Sequence, residues 1–158
     1  MSNLKKYIPP VLWVVAFQVI SSLIGLITRS NIDSWYVGLE KSSLTPPNIA
    51  FPIVWTSLYV LIALAGWKIF FVRRQESARP ALLFFVIYAV LNWGWSLVFF
   101  EFHWVCTAFF WILAVNVTNI AFIVKSWNVS RAAAFLMILP LLWAGFAAYL
   151  NYQIWMLN

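Results

Sequence analysis

The charged residues of this chain stand about one membrane thickness apart. Between Lys6 and Arg29 lie 22 residues without a formal charge, and 26 lie between Lys41 and Lys68. A further 21 separate Arg79 from Glu101, 23 separate Glu101 from Lys125, and the 27 residues after Arg131 are uncharged. A hydrocarbon core about 30 Å thick is crossed by about 20 apolar residues in a helix. The spacing therefore predicts five transmembrane helices, at about 8–28, 49–72, 80–101, 104–125 and 132–155. The fold class is an all-α integral membrane bundle, with 1–158 as a single membrane domain. With 65% hydrophobic and 9% charged residues, the chain falls far below the roughly 25% charge of soluble domains. An ordinary soluble enzyme, a disordered chain and a nucleic-acid binder are excluded.

A transmembrane β-barrel would alternate apolar and polar residues in short segments, and the run Ala81-Leu82-Leu83-Phe84-Phe85-Val86-Ile87 does not alternate. Lys5 and Lys6 precede the first span as they would in a signal peptide. That span is too long for one and has no A-x-A-like site before Arg29, so it reads as a retained helix. Five crossings put Lys5, Lys6, Arg73, Arg74, Arg79, Lys125 and Arg131 on one side, with Lys68 reaching toward it, and only Arg29 and Lys41 on the other. The positive-inside rule makes the richer side, with the N-terminus, cytoplasmic. A bacterial inner membrane is the expected location. The connections are short except for an interfacial loop at 29–48, where Trp35 and Tyr36 are candidate anchors or lid residues and Pro46 and Pro47 stiffen the exit.

Chemistry is constrained by what the spans lack. Asp33, Glu40, Glu76 and Glu101 fall in loops or at span ends, so mid-membrane proton relays and buried general acids or bases have no candidate. One His, one Cys and four scattered carboxylates propose no metal site. His103 and Glu101 read as an interface pair, and Cys106 as a small hydrophobe.

Aromatic residues are abundant: 11 Trp, 14 Phe and 6 Tyr. Many belong to interfacial belts, but three stripes run deeper at helical spacing. They are Trp55, Tyr59 and Ile62 on the second span, then Tyr88, Asn92, Trp95 and Phe99 on the third, and Trp143, Ala147 and Asn151 on the fifth. Such stripes pack helix on helix as readily as they line a pocket. Together they suit a cavity for a flat, largely apolar ligand, with Asn92 and the indole N–H groups of Trp55 and Trp143 as polar anchors.

Several blocks now carry a resemblance. They are Trp35-Tyr36 with Leu39, Thr45-Pro46-Pro47, Phe51-Pro52, Trp55-Thr56, Leu58-Tyr59, then Leu91-Asn92-Trp93-Gly94-Trp95-Ser96 with Phe99-Phe100, and finally Pro140, Trp143, Ala147 and Leu150-Asn151. In order and spacing the chain resembles the translocator protein family, the tryptophan-rich sensory proteins (TspO/MBR). The resemblance implies a five-helix bundle, commonly a homodimer, whose cavity is closed by the first loop and takes porphyrins such as protoporphyrin IX, sterols or synthetic drugs. Trp55, Asn92, Trp143 and Ala147 match cavity positions of the family. The sequence departs from the family pattern at Leu44, where the loop usually has tryptophan, and at Leu97, where helix 3 commonly has proline. The Leu150-x-Tyr152 pair lacks the following basic residue of a sterol motif.

Three readings follow. The first is a membrane receptor or sensor for tetrapyrroles and related flat hydrophobic ligands, which it also transports. The second is a light- and oxygen-dependent porphyrin-degrading enzyme using Trp55 and Trp143. The third is a membrane scaffold without a ligand of its own. None requires a resident cofactor, since porphyrin enters as ligand or substrate. The expected partners are the bilayer, that ligand and a second copy of the chain.

Overall fold

The computed structural model describes the backbone of residues 4–158 and the side chains from Pro9 onward. The side chains of Lys5 and Lys6, counted above toward orientation, lie outside the described residues. Helix α1 covers Leu4–Asp33, α2 Ala50–Phe71, α3 Ala78–Ser96, α4 Val105–Ser126, α5 Arg131–Leu136 and α6 Ile138–Leu157. A 3-10 turn at Tyr36–Gly38 lies in the first loop, and a π turn at Leu97–Glu101 prolongs α3. Among the described residues, five spans are long and apolar enough to cross a membrane, the third being α3 with its π turn and the fifth being α5 with α6. This multi-pass helical membrane architecture is the one the charge spacing predicts.

The bounds differ from expectation mainly in α1. It continues past Arg29 to Asp33, so the first loop runs from residue 34 to 49 and not from 29 to 48. A charge ends an apolar run without ending a helix. Arg29 and Asp33 form an exposed i,i+4 pair 3.8 Å apart. The fifth span is broken at Met137. Pro140 has no N–H to offer the carbonyl of Leu136, so α5 closes on Met137 and α6 restarts at Ile138. The break is tied to α4, because Asn119, fully buried, donates its Nδ2 to Met137 O at 3.3 Å. Replacing Asn119 with Leu removes this interhelical bond and lowers stability by about 1 kcal/mol. The expected result in a thermal unfolding series is a loss of a few degrees.

In the bundle, α4 packs against α3 and α6, α1 lies along α2, and α5 fits against α2. The tight core sits at the end bearing the 72–77 and 127–130 turns, where Ile69, Ala78, Phe85, Phe122, Ala133 and Met137 are almost wholly buried. Small residues set the approach of α2 to α3: a Cβ at Gly66 would overlap the ring of Phe85. Charge divides between the ends. Lys68, Arg73, Arg74, Arg79, Lys125 and Arg131 lie at the tightly packed end, with Glu76 the lone acid there among the described residues. Toward the other end, where the first loop lies, the helices part.

Candidate ligand cavity

A cavity of about 820 Å³ occupies the half of the bundle beneath the first loop. Its walls come from α1 between Gln18 and Asp33, the start of α2, the end of α3 and α6 between Ala147 and Ile154, with Tyr36 from the 3-10 turn. The volume falls within the roughly 300–1,000 Å³ of small-molecule sites. It is open where exposed Leu26 of α1 and Ile49 before α2 line its rim.

The aromatic stripes of α2 and α3 converge here. Trp55 and Tyr59 lie on one wall with ring centroids 5.6 Å apart. Across from them Asn92 donates its Nδ2 to the Tyr59 hydroxyl at 3.0 Å, a buried bond joining α3 to α2. One turn further, Trp95 Nε1 donates to Ala108 O at 3.1 Å and to Asn151 Oδ1 at 3.3 Å. Asn151 in turn donates its Nδ2 to Val105 O at 2.9 Å, so α3, α4 and α6 meet at one amide. Ala147, one turn before Asn151, leaves room in the wall. On these walls the result is an aromatic surface whose polar groups, Tyr59, Asn92, Trp95 and Asn151, are held in place by hydrogen bonds.

Of the predicted site residues, Trp55, Tyr59, Asn92, Trp95, Ala147 and Asn151 line the cavity, while Tyr88 and Trp143 do not. Tyr88 is one turn before Asn92, which carries it into the closed core, where it is 0% exposed. Trp143 stands behind Phe51, in edge contact with it at 6.1 Å, and Phe51 makes the wall. The Nε1 of Trp143 is buried without a hydrogen-bond partner among the described residues. In the loop, Tyr36 lines the cavity but Trp35 does not. Trp35 instead stacks on His103 at 4.0 Å and meets Phe99 edge-on at 5.6 Å. Pro46 and Pro47 precede the rim residues Asn48 and Ile49 and stay out of the lining. Burial raises the Tyr36 phenol above its ordinary pKa, so it remains a neutral hydroxyl across the physiological range.

No α1 residue is among the sequence-derived candidates, yet α1 supplies a whole wall. Gln18, Ser21, Ser22, Gly25 and Thr28 face the cavity, and Gln18 donates to Thr56 O across the α1–α2 seam at 2.7 Å. Their spacing of three and four in an otherwise apolar span is the signal that marks them.

A model of the TspO/MBR family matches residues 12–156. The chain belongs to the TspO/MBR family. It is 33% identical over 160 residues to the tryptophan-rich protein TspO of Archaeoglobus fulgidus, covering 99% of this chain and 99% of that one. It is 32% identical over 154 residues to the translocator protein of Sus scrofa, covering 93% and 90% respectively. Protein CrtK of Rhodobacter capsulatus is 27% identical over 126 residues, 79% of each chain.

The two departures from the TspO/MBR pattern have visible structural settings. Leu44 is 63% exposed and lies outside the cavity lining, its amide held by Ser42 Oγ at 3.2 Å. Leu97 opens the π turn, its carbonyl accepting from the Phe102 amide at 3.0 Å. Helix α3 thus leaves α geometry at Leu97 through its own backbone pairing. Two residues past the turn, His103 has a φ of 57° and reverses the chain toward α4.

Proposed function

We propose that this TspO/MBR chain is a membrane receptor for tetrapyrroles of the protoporphyrin IX kind and related flat hydrophobic ligands, which it binds within the bundle and transports. The observation that carries this reading is the enclosure itself. It has about 820 Å³ of space, Trp55 and Trp95 on its walls, and the Asn92–Tyr59 pair as a fixed polar point. Stacking surfaces with a few placed hydrogen-bonding groups are what a flat apolar molecule with polar edges requires. The names of the relatives, tryptophan-rich sensory protein and translocator protein among them, agree with sensing and movement of a ligand. The working unit is a homodimer in a bacterial inner membrane, with the N-terminus cytoplasmic and the cavity toward the outer face. The basic residues at the opposite end support that orientation.

A second reading is light- and oxygen-dependent porphyrin breakdown. It is favoured by Trp55, whose indole lies directly against the cavity and within reach of an excited ligand. Trp143, the other tryptophan of that reading, is one layer back behind Phe51.

A titration with protoporphyrin IX in the dark, followed by tryptophan fluorescence, is expected to show saturable quenching. Illumination of the same sample is then expected to change the spectrum of the bound porphyrin no faster than that of a protein-free control. Quenching that never saturates overturns the receptor. Protein-dependent conversion to a new chromophore replaces it with the enzyme.

A further inference from the structure

The loop over the cavity is fastened by a side chain that belongs to the cavity's own helix. Asn158, immediately after α6, forms a reciprocal pair with the main chain of Glu40. The Glu40 amide donates to Asn158 Oδ1 at 3.0 Å, and Asn158 Nδ2 donates to Glu40 O at 3.1 Å. The same Nδ2 donates to Ile154 O at 2.8 Å, which holds the carboxamide in register with the helix. A primary amide presents donor and acceptor as a peptide does, so the loop is paired as it would be to a neighbouring strand.

Position gives this pair its leverage. Ala147, Asn151, Ile154 and Asn158 follow one another at intervals of four, three and four residues, which puts them on one face of the helix. The first three line the cavity, and the fourth grips the loop. On the loop side, Lys41 next to Glu40 folds back, donating its Nζ to Leu39 O at 2.8 Å and lying 4.8 Å over the ring of Tyr36. Tyr36 is itself a wall of the cavity. The clasp at Glu40 is therefore linked through Lys41 to a side chain that encloses the ligand space.

We propose that Asn158 is the clasp of this lid: a positioning residue that touches no ligand but holds the 36–42 segment closed, and so sets the rate at which the cavity exchanges its contents. The proposal rests on the reading of the cavity as a ligand site. Trp35 stacked on His103 and Ser42 near Tyr149 at 3.4 Å tether the loop on either side. Releasing Asn158 frees the middle of the lid without detaching the whole. Asn158 lies outside the cavity lining, so its loss acts on the path and not on ligand contacts, and is expected to raise entry and exit by the same factor and leave Kd unchanged.

The test uses the full chain in lipid nanodiscs, as wild type, Asn158→Ala and Asn158→Asp. Amide hydrogen exchange of the 36–42 segment is read without any ligand. Stopped-flow quenching by protoporphyrin IX gives the association and dissociation rates. Loss of two exposed hydrogen bonds is expected to speed exchange about tenfold in Asn158→Ala. Asn158→Asp, which keeps the acceptor and loses the donor, is expected to fall between. Both porphyrin rates are expected to rise by similar factors, with the thermal midpoint unmoved. Exchange identical in wild type and Asn158→Ala overturns the clasp. Faster exchange with unaltered porphyrin rates overturns its control of the cavity. A wild type that binds no porphyrin overturns the receptor reading, while the exchange comparison still decides the clasp.

Discussion

Replacing Trp55 with Ala is expected to lower affinity for protoporphyrin IX by about thirtyfold or more, the effect typical of deleting a buried aromatic anchor. The same change at Trp143 should be far weaker. Both tryptophans belong to aromatic stripes of the same kind. The structure separates them by one layer. Trp55 exposes its ring to the enclosed space beside Tyr59, whereas Trp143 is screened by Phe51. Truncating Trp55 removes a stacking surface and leaves Tyr59 facing a void. Truncating Trp143 loosens the support of Phe51 without opening the wall. The porphyrin absorbance shift is the proper readout, because it does not depend on which indole has been removed. Equal losses for the two variants, or the larger loss at Trp143, would refute this ordering.

Gly66→Val is expected to cost about 1–3 kcal/mol in stability, toward the upper part of the range for overpacked cores. In a protein of this size that corresponds to several degrees in thermal midpoint. Gly66 is buried on α2 where it meets α3, and the ring of Phe85 occupies the place of its missing side chain. Relief by rotation of Phe85 is blocked. Its ring centroid lies 6.0 Å from Trp13, 5.9 Å from Phe17 and 5.6 Å from Phe122, so α1 and α4 hold it from two sides. Combining Gly66→Val with Phe85→Leu should recover part of the loss, since residues in direct contact couple. A double variant no better than the sum of its parts would place the strain elsewhere.

Much of this architecture is readable in the sequence, because charge in a membrane chain is confined to the ends of spans. The second to fifth spans lie within about two residues of the bounds that the charge spacing predicts. Helix α1 is different. Arg29 ends the apolar run, but nothing there ends the helix, and the chain continues to Asp33. The site is legible by angle and not by depth. Helical spacing places Tyr88, Asn92 and Trp95 on one face of α3, but the cavity reaches only as far down as Asn92, and Tyr88 belongs to the closed core below it. Trp143 is left out of the lining for a related reason: periodicity orients a side chain without revealing that Phe51 from another helix lies against it and takes the place in the wall. The wall from α1 was written in polar residues, Gln18, Ser21, Ser22 and Thr28, in a protein whose conspicuous signal is aromatic. The tether of Glu40 to Asn158 spans 118 positions and has no periodic trace at all.

Helix α1 is also the least buried of the five spans, with 11% of its most apolar stretch enclosed against 28% or more in the others. One side of it faces the cavity and the other faces acyl chains. A molecule in the cavity is therefore separated from the hydrocarbon by the thickness of a single helix, and that helix answers to the bilayer as much as to its neighbours. Tilt adjusts a span of fixed length to the local hydrocarbon depth. In this bundle a change of tilt in α1 moves Gln18 and Ser21 relative to Trp55 and alters the width of the chamber. The lipid around the protein thus becomes one of the walls that shape its contents.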